Sequence, residues 1–348
     1  MNNPELYMQR ALDLARRGLG QVSPNPMVGA VVVHDNRIIG EGWHQKFGGA
    51  HAEVNAISNA VTKTIPTDST LYVSLEPCNH HGKTPPCTDL IIRSGIRKVF
   101  IGCSDPNPLV NGSGEAKLSA ANIQVVTNVL KNEAEELNKR FFTAIKKRRP
   151  YIILKWAETS DGFIARKNYE SKWISGEISR QQVHQWRAEE DGVLVGSRTA
   201  MVDNPLLTVR DWTGRQPVRI LLDKKLRVTE DHKIFNDQAP TIVYNQYKSE
   251  EKNNISYRKC DAENFLIQVL CDLNQRKIQS IIIEGGAKTL NDFIEQNYWD
   301  EARVFKAEKT FQDGIEAPTL PYRPLHEQSS GSDTLLTYRN FNSAELPD

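Results

Sequence analysis

The sequence predicts an α/β protein of two domains, and three observations predict it. Helical and strand-like runs alternate through the first 145 residues. The chain, at 348 residues, exceeds the usual span of one hydrophobic core. The basic run Lys146-Lys147-Arg148-Arg149 closes on Pro150, directly before the apolar strand Tyr151-Ile152-Ile153-Leu154. A cationic cluster there reads as the solvated end of a helix, where positive charge suits the helix dipole. The junction is placed at about residue 147, giving domains 1–147 and 148–348.

The elements follow in order. Pro4 to Gly18 carries Leu6, Arg10, Leu14 and Ala15 at helical spacing. Ala30–Val33 and Arg37–Gly40 flank His34-Asp35-Asn36 as a hairpin. His51–Ala60 reads as a helix, Leu71–Leu75 as a strand and Thr88–Ile92 as a second helical stretch. Strands at Lys98–Gly102 and Ile123–Thr127 precede a helical stretch from Lys131 to Ile145. These elements predict a central sheet with helices on its faces. In the second domain the run Ser280-Ile281-Ile282-Ile283 ends in Gly285-Gly286, a strand-to-turn signal or a weak phosphate loop.

Charge and composition narrow the function classes. Lys and Arg number 44 against 43 Asp and Glu, and a net charge of +1 offers no basic field for nucleic acid. No apolar run approaches membrane-spanning length, and 39% hydrophobic residues suit ordinary soluble cores. The five cysteines are Cys78, Cys87, Cys103, Cys260 and Cys271, and Met1-Asn2-Asn3-Pro4-Glu5 carries no secretory signal. The expectation is a cytoplasmic protein with free thiols rather than a disulfide between Cys78 and Cys87.

His51-Ala52-Glu53, Pro77-Cys78 and Pro86-Cys87 together supply an imidazole, two thiols and a carboxylate. A catalytic zinc typically keeps three protein ligands and an open fourth position, so His51, Cys78 and Cys87 are the candidate ligands. Glu53 is then free to move protons as general acid and base. His51 and Glu53 fall in the first turn of one predicted helix and Cys87 precedes another, where the helix dipole favours a thiolate. His-x-Glu with a downstream Pro-Cys-x-x-Cys is the signature of hydrolytic zinc deaminases, in which water attacks the ring carbon bearing the amino group, and this chain carries a variant of it. The glutamate would take the water's proton, pass it to the ring nitrogen and assist departure of the amine.

The segment Glu76-Pro-Cys-Asn-His-His-Gly-Lys-Thr-Pro-Pro-Cys87 has eight residues between its cysteines rather than the two of the short deaminase pattern. It resembles the RibD family of bifunctional riboflavin biosynthesis proteins, as do Ser23-Pro24-Asn25-Pro26-Met27-Val28-Gly29, Gly42-Trp43-His44 and Asp105-Pro106-Asn107-Pro108-Leu109-Val110-Asn111-Gly112. The resemblance implies a cytidine-deaminase-like three-layer domain followed by a dihydrofolate-reductase-like domain. It implies deamination of 2,5-diamino-6-(5-phosphoribosylamino)pyrimidin-4-one, a small pyrimidine ribotide, and then NADPH-dependent reduction of the ribosyl to a ribityl chain. By it, Asn25, Asp105 and Asn107 stand near the base and ribose, and His44, His80 and Lys83 toward the phosphate. Asn25 and the Asp105–Pro108 run also read as ordinary turn residues.

In the second domain the resemblance is carried by Lys155-Trp156-Ala157, Ser160-Asp161-Gly162, Ser171–Gly176, His184 with Arg187, Val195–Thr199, Asp203–Arg210 and Ile283–Ala287. It implies that Ala157, Trp173, Thr199, Asp203, Gly286, Ala287, Lys288, Thr289 and Leu290 line the nicotinamide cofactor. Ser171, Arg187, Leu207, Arg210 and Glu284 would line the substrate, the arginines suiting a phosphate because a guanidinium pairs two oxygens. Lys155 and Glu284 are candidates for proton supply. The family also implies a homodimer or higher homo-oligomer. Two departures stand out: Glu158-Thr159 replaces small or apolar residues, and Glu308–Gly314 lacks an apolar strand pattern, which predicts loss of a C-terminal strand. Beside the bifunctional reading stand a deaminase with a binding-only second domain and a non-catalytic module with structural zinc.

Overall fold

Asn3 opens the first helix, α1 (Pro4–Arg16), its side-chain oxygen accepting the Glu5 N–H at 3.1 Å while Pro4 occupies the first turn. The computed structural model describes residues 3–62, 64–80, 85–108, 110–169 and 174–347. The chain divides into two compact units, Met1–Lys146 and Lys147–Asp348.

In the first unit α1 is followed by β1 (Gly29–His34), β2 (Arg37–Trp43), α2 (Ala52–Ser58), β3 (Thr70–Leu75), α3 (Cys87–Ser94), β4 (Lys98–Cys103), α4 (Ser113–Ala120), β5 (Gln124–Val126), α5 (Lys131–Leu137) and α6 (Lys139–Lys146). Among the described residues these strands form one sheet of order β2-β1-β3-β4-β5, antiparallel on the β2 side and parallel from β3 to β5. Asp35 and Asn36, both at positive φ, make the two-residue hairpin turn between β1 and β2. Strand alternation sorts the core into two layers. Val31, Val33, Tyr72 and Phe100 pack with α1, α5 and α6 residues on one face. Ala30, Val32, Leu71, Val73 and Val99 pack with α2, α3 and α4 residues on the other.

Two local readings need correction. The buried stripe of α1 is Tyr7, Met8, Ala11, Leu12, Leu14 and Ala15, whereas Leu6 is 65% exposed and Arg10 pairs with Glu41 at 2.6 Å. The expected helix from Lys131 to Ile145 breaks at Asn138, whose buried amide bonds the Met27 N–H at 2.8 Å and the Met27 carbonyl at 2.9 Å. That exchange ties the segment carrying Asn25 to the helical layer.

The second unit contains β6 (Tyr151–Glu158), β7 (Phe163–Ala165), α7 (Glu177–Glu189), β8 (Gly192–Gly196), α8 (Ser197–Asp203), β9 (Val218–Leu222), β10 (Thr241–Asn245), β11 (Glu250–Lys252), β12 (Ile255–Lys259), α9 (Phe265–Gln275), β13 (Ser280–Ile283), α10 (Ala287–Glu295), β14 (Glu301–Lys306), β15 (Ile315–Glu316), β16 (His326–Ser330) and β17 (Asp333–Arg339). Its main sheet runs β11-β12-β10-β9-β8-β13-β6-β14-β17-β16 among the described residues, parallel from β12 to β14 across the centre. Parallel strands buried on both faces read as near-continuous apolar runs, as Ile281-Ile282-Ile283 does. α9 and α10 cover one face around Leu270 and Phe293, and α7 and α8 contribute Trp186 and Ala200 to the other.

The predicted loss of the C-terminal strand does not occur. Glu308–Gly314 is indeed irregular, but β16 and β17 follow it and extend the sheet, β17 pairing antiparallel with β14 and β16 antiparallel with β17. Both lie beyond the Glu308–Gly314 stretch, which lacks a strand pattern in the sequence. Glu158 and Thr159 are also accommodated: Glu158 accepts the Trp156 indole N–H at 2.8 Å, and the fully buried Thr159 hydroxyl accepts the Phe163 N–H at 3.0 Å.

Candidate active sites

In the first unit the chemistry gathers at the carboxyl ends of β3 and β4, where ligands of open α/β sheets bind. His51 is the extended residue that precedes α2, and Glu53 is the second residue of that helix. Cys78 follows β3 in a loop and Cys87 begins α3. The Cys87 N–H points at the Cys78 sulfur at 3.4 Å, and the Thr88 N–H bonds the Cys78 carbonyl at 3.2 Å. The amino end of α3 therefore stabilises charge on Cys78 rather than only on the cysteine within the helix.

The three donor atoms converge. His51 Nδ1 lies 3.2 Å from Cys87 Sγ and 3.6 Å from Cys78 Sγ, and all three donors fall within 4.8 Å of one another. Tetrahedral zinc with ordinary Zn–N and Zn–S bonds separates such atoms by about 3.6 Å, so the donor set fits the ion in both spacing and chemistry. The hydrogen bond from Cys87, aided by that of His51, lowers the Cys78 thiol well below its ordinary value. Cys87 is raised by its bond to that thiolate and by burial. The bond to Cys78 raises His51. Glu53, 3% exposed, is raised by burial and then by the Cys78 charge.

A cleft of about 350 Å³ opens beside these groups and is lined by Asn25, His44, Glu53, His80, Asp105 and Asn107 among others. Asp105 is pushed up to about 6 by burial, and its Oδ1 accepts the Asn107 N–H at 2.8 Å. His80 is exposed at the rim, and Lys83 lies outside the described residues. His44 lies buried in the cleft wall. It is 3% exposed, its Nδ1 meets the Ala50 carbonyl at 3.0 Å and its Nε2 meets the Asn25 amide at 3.1 Å. Burial lowers its pKa, and its ring holds the Asn25 amide at the cleft wall.

In the second unit a cleft of about 810 Å³ lies across the carboxyl ends of β6, β8, β9 and β13. Ala157, Thr199, Asp203, Gly286, Ala287, Lys288, Thr289 and Leu290 all line it. Gly286 holds φ +57° and ψ 132°, a conformation open to glycine, and turns the chain from β13 into α10 so that the helix begins at the cleft wall. A Cβ on this residue would also come within 3.0 Å of Thr199 Oγ1. The volume and the helix start suit a dinucleotide with its phosphates on backbone N–H groups.

Glu284 and Lys155 line the same cleft. Arg187 grips Glu284 through two bonds of 2.6 and 2.8 Å and also donates to the Thr208 carbonyl at 3.1 Å. Burial alone would raise Glu284, but Arg187 and then Lys155 outweigh it and hold the carboxyl at about 2. Burial lowers Lys155. Leu207 sits in the core at 2% exposure, and Arg210 is exposed with its N–H on His184 Nδ1 at 3.2 Å, so neither lines this cleft. Ser171 and Trp173 lie outside the described residues. Sequence reasoning missed Lys224, Lys225 and Arg227 as cleft residues; their signal is a basic cluster just past the strand Val218–Leu222.

Residues 1–103 match the family model for the cytidine and deoxycytidylate deaminase zinc-binding region, and residues 150–315 match that for the RibD C-terminal domain. Fold and sites thus define a two-domain enzyme that joins a zinc-type deaminase to a reductase. The chain is 42% identical over 350 residues to the riboflavin biosynthesis protein RibD of Aquifex aeolicus (strain VF5), covering 96% of this chain and 98% of that protein. It is 37% identical over 337 residues to RibD of Escherichia coli (strain K12), covering 91% of each. The crystal structure of a diaminohydroxyphosphoribosylaminopyrimidine deaminase/5-amino-6-(5-phosphoribosylamino)uracil reductase from Thermotoga maritima superposes with a TM-score of 0.89 at 41% identity, covering 97% of this chain and 98% of that one. The chain belongs to the RibD family of bifunctional riboflavin biosynthesis enzymes, with an N-terminal cytidine-deaminase domain and a C-terminal reductase domain of dihydrofolate-reductase type. No helix among the described residues is long and apolar enough to cross a membrane.

Proposed function

We propose that the first unit hydrolytically deaminates 2,5-diamino-6-(5-phosphoribosylamino)pyrimidin-4-one and that the second reduces the ribosyl group of the product to ribityl with NADPH. The single observation that carries the first half is the convergence of His51, Cys78 and Cys87 within 4.8 Å beside the buried Glu53. Those three residues would hold zinc, which when bound supplies the activation of water for attack near neutral pH. Glu53 is the catalytic acid and base. Its buried carboxyl, raised by burial, takes one proton of the attacking water at a carboxylate oxygen and gives it to the ring nitrogen, then takes the second from the newly added hydroxyl and gives it to the departing amine, which leaves as ammonia as the ring carbonyl forms. Asn25, oriented by His44, and Asp105 with Asn107 bind the base and ribose.

In the reductase, Gly286 to Leu290, with Ala157, Thr199 and Asp203, would hold NADPH, which supplies the hydride for the opened ribose carbon. Trp173 and Ser171 belong to this assignment by sequence. Lys155 donates the proton to the sugar oxygen, and Glu284, held by Arg187, orients the substrate; Arg210 and Leu207 belong to the assignment by sequence alone. The paired chemistry favours a homodimeric or larger assembly only by family resemblance. A two-stage assay tests the whole reading: purified protein with the ribotide must release ammonia without cofactor and then oxidise NADPH on its addition. Zinc-loaded protein that gives neither signal overturns it; ammonia without NADPH oxidation overturns the second half.

A further inference from the structure

The carboxylate of Glu76 is buried at the mouth between β3 and β4 and has no place in the chemistry above. Its backbone N–H continues the strand pairing onto the Cys103 carbonyl at 3.0 Å, and the residue is 5% exposed. Its two oxygens collect four backbone N–H groups from one loop. Oε2 accepts those of Asp105 at 3.3 Å and Gly112 at 3.1 Å, and Oε1 accepts those of Gly114 at 3.0 Å and Glu115 at 3.4 Å. Gly114 permits this approach, since a Cβ there would stand 2.2 Å from the Pro77 carbonyl oxygen. Orphan N–H groups at the start of α4 are thereby satisfied by an anion, the preferred partner of a helix amino end.

Glu76 itself borders the deaminase cleft, and its clamp extends to Asp105 and Asn107 along the same wall. Asp105, whose N–H is held by Glu76, turns its own Oδ1 back onto the Asn107 N–H at 2.8 Å. The side chains of both line the cleft that contains Glu53 and Cys78. We infer that Glu76 is a positioning residue of the deaminase, tying Asp105 to Gly112 and the first turn of α4 so that Asp105 and Asn107 meet the substrate. The inference rests on the proposed deamination and deepens it by naming what holds the substrate-binding loop in place.

The test is Glu76→Gln in the full-length chain, assayed for ammonia release from the ribotide, with zinc content and NADPH oxidation on separately supplied deaminated ribotide measured in the same preparation. Glutamine keeps the size but presents an NH₂ group to two of the four donors. The expected result is a KM raised roughly tenfold to a hundredfold, kcat changed less, one zinc per chain and an unchanged reductase rate. In an Asn107→Ala background the same substitution should add little, because its effect passes through that loop. Full additivity, an unaltered KM, or loss of zinc in the Gln variant overturns the inference. If the Gln chain does not fold, Glu76→Asp, which keeps both oxygens but withdraws them by a methylene, must show the same KM-weighted loss on a smaller scale with full zinc; a wild-type KM in it overturns the inference. Absence of ammonia from the wild-type chain would instead remove the deaminase reading itself.

Discussion

Replacing Arg187 by Met should destabilise the second unit in a manner that depends on pH. Glu284 is bound to Arg187 at 2.6 and 2.8 Å, and the side chains of the pair are 7% and 11% exposed, so solvent screens the interaction little. The carboxyl falls from its ordinary 4.5 to about 2 in the folded chain, which corresponds to about 3 kcal/mol of stability at neutral pH. Because the folded pKa lies below the unfolded one, that stabilisation is present above about pH 4.5 and disappears as pH falls toward 2. Without the guanidinium, burial pushes the same carboxyl upward, and the sign reverses: neutral pH then penalises the folded state and acid relieves it. The variant should be less stable than the wild type by about 3–5 kcal/mol at pH 7, the usual cost of stranding one member of a buried pair. Urea unfolding followed by tryptophan fluorescence reads this unit, since five of the six tryptophans belong to it. The gap should narrow steadily from pH 7 to pH 3. A gap under about 1 kcal/mol at pH 7, or one unchanged by pH, refutes the electrostatic argument.

Glu53→Gln keeps the shape of the buried acid but removes its proton transfer, so ammonia release should fall by about 10²–10⁴ with zinc content intact, as metal analysis beside the kinetic assay will show. Chelation of zinc should abolish ammonia release yet leave NADPH oxidation on deaminated ribotide untouched, and added zinc should restore the first activity. Gly286→Ala forces a side chain into φ +57° and toward Thr199, and should raise the KM for NADPH about tenfold or more, with loss of roughly 1–3 kcal/mol in stability. Isothermal titration of the cofactor and thermal unfolding check the two halves of that expectation.

Function was legible early because the chemistry needs particular residue types in particular orders. His51-x-Glu53 and the two Pro-Cys units announce their donor set from spacing alone, and the apolar runs Ala30–Val33 and Leu71–Leu75 announce buried strands. The hairpin turn at Asp35-Asn36 and the α1 start at Asn3-Pro4 are likewise local, each set by the conformational preference of one or two residues. The tertiary structure decided what depends on partners distant in the chain. The break at Asn138 follows from its bonds to Met27, 111 positions away, and β16 and β17 form because β14 offers them an edge. The family resemblance sets His44 toward the phosphate, and only the fold shows it buried with its Nε2 on the Asn25 amide and its pKa lowered by exclusion of water. Glu76 reads as one more residue of a motif, and only the folded loop brings four N–H groups to its oxygens. Sequence carries the reactive groups and local backbone preferences, whereas burial, long-range hydrogen bonds and sheet edges arise only once the chain has packed.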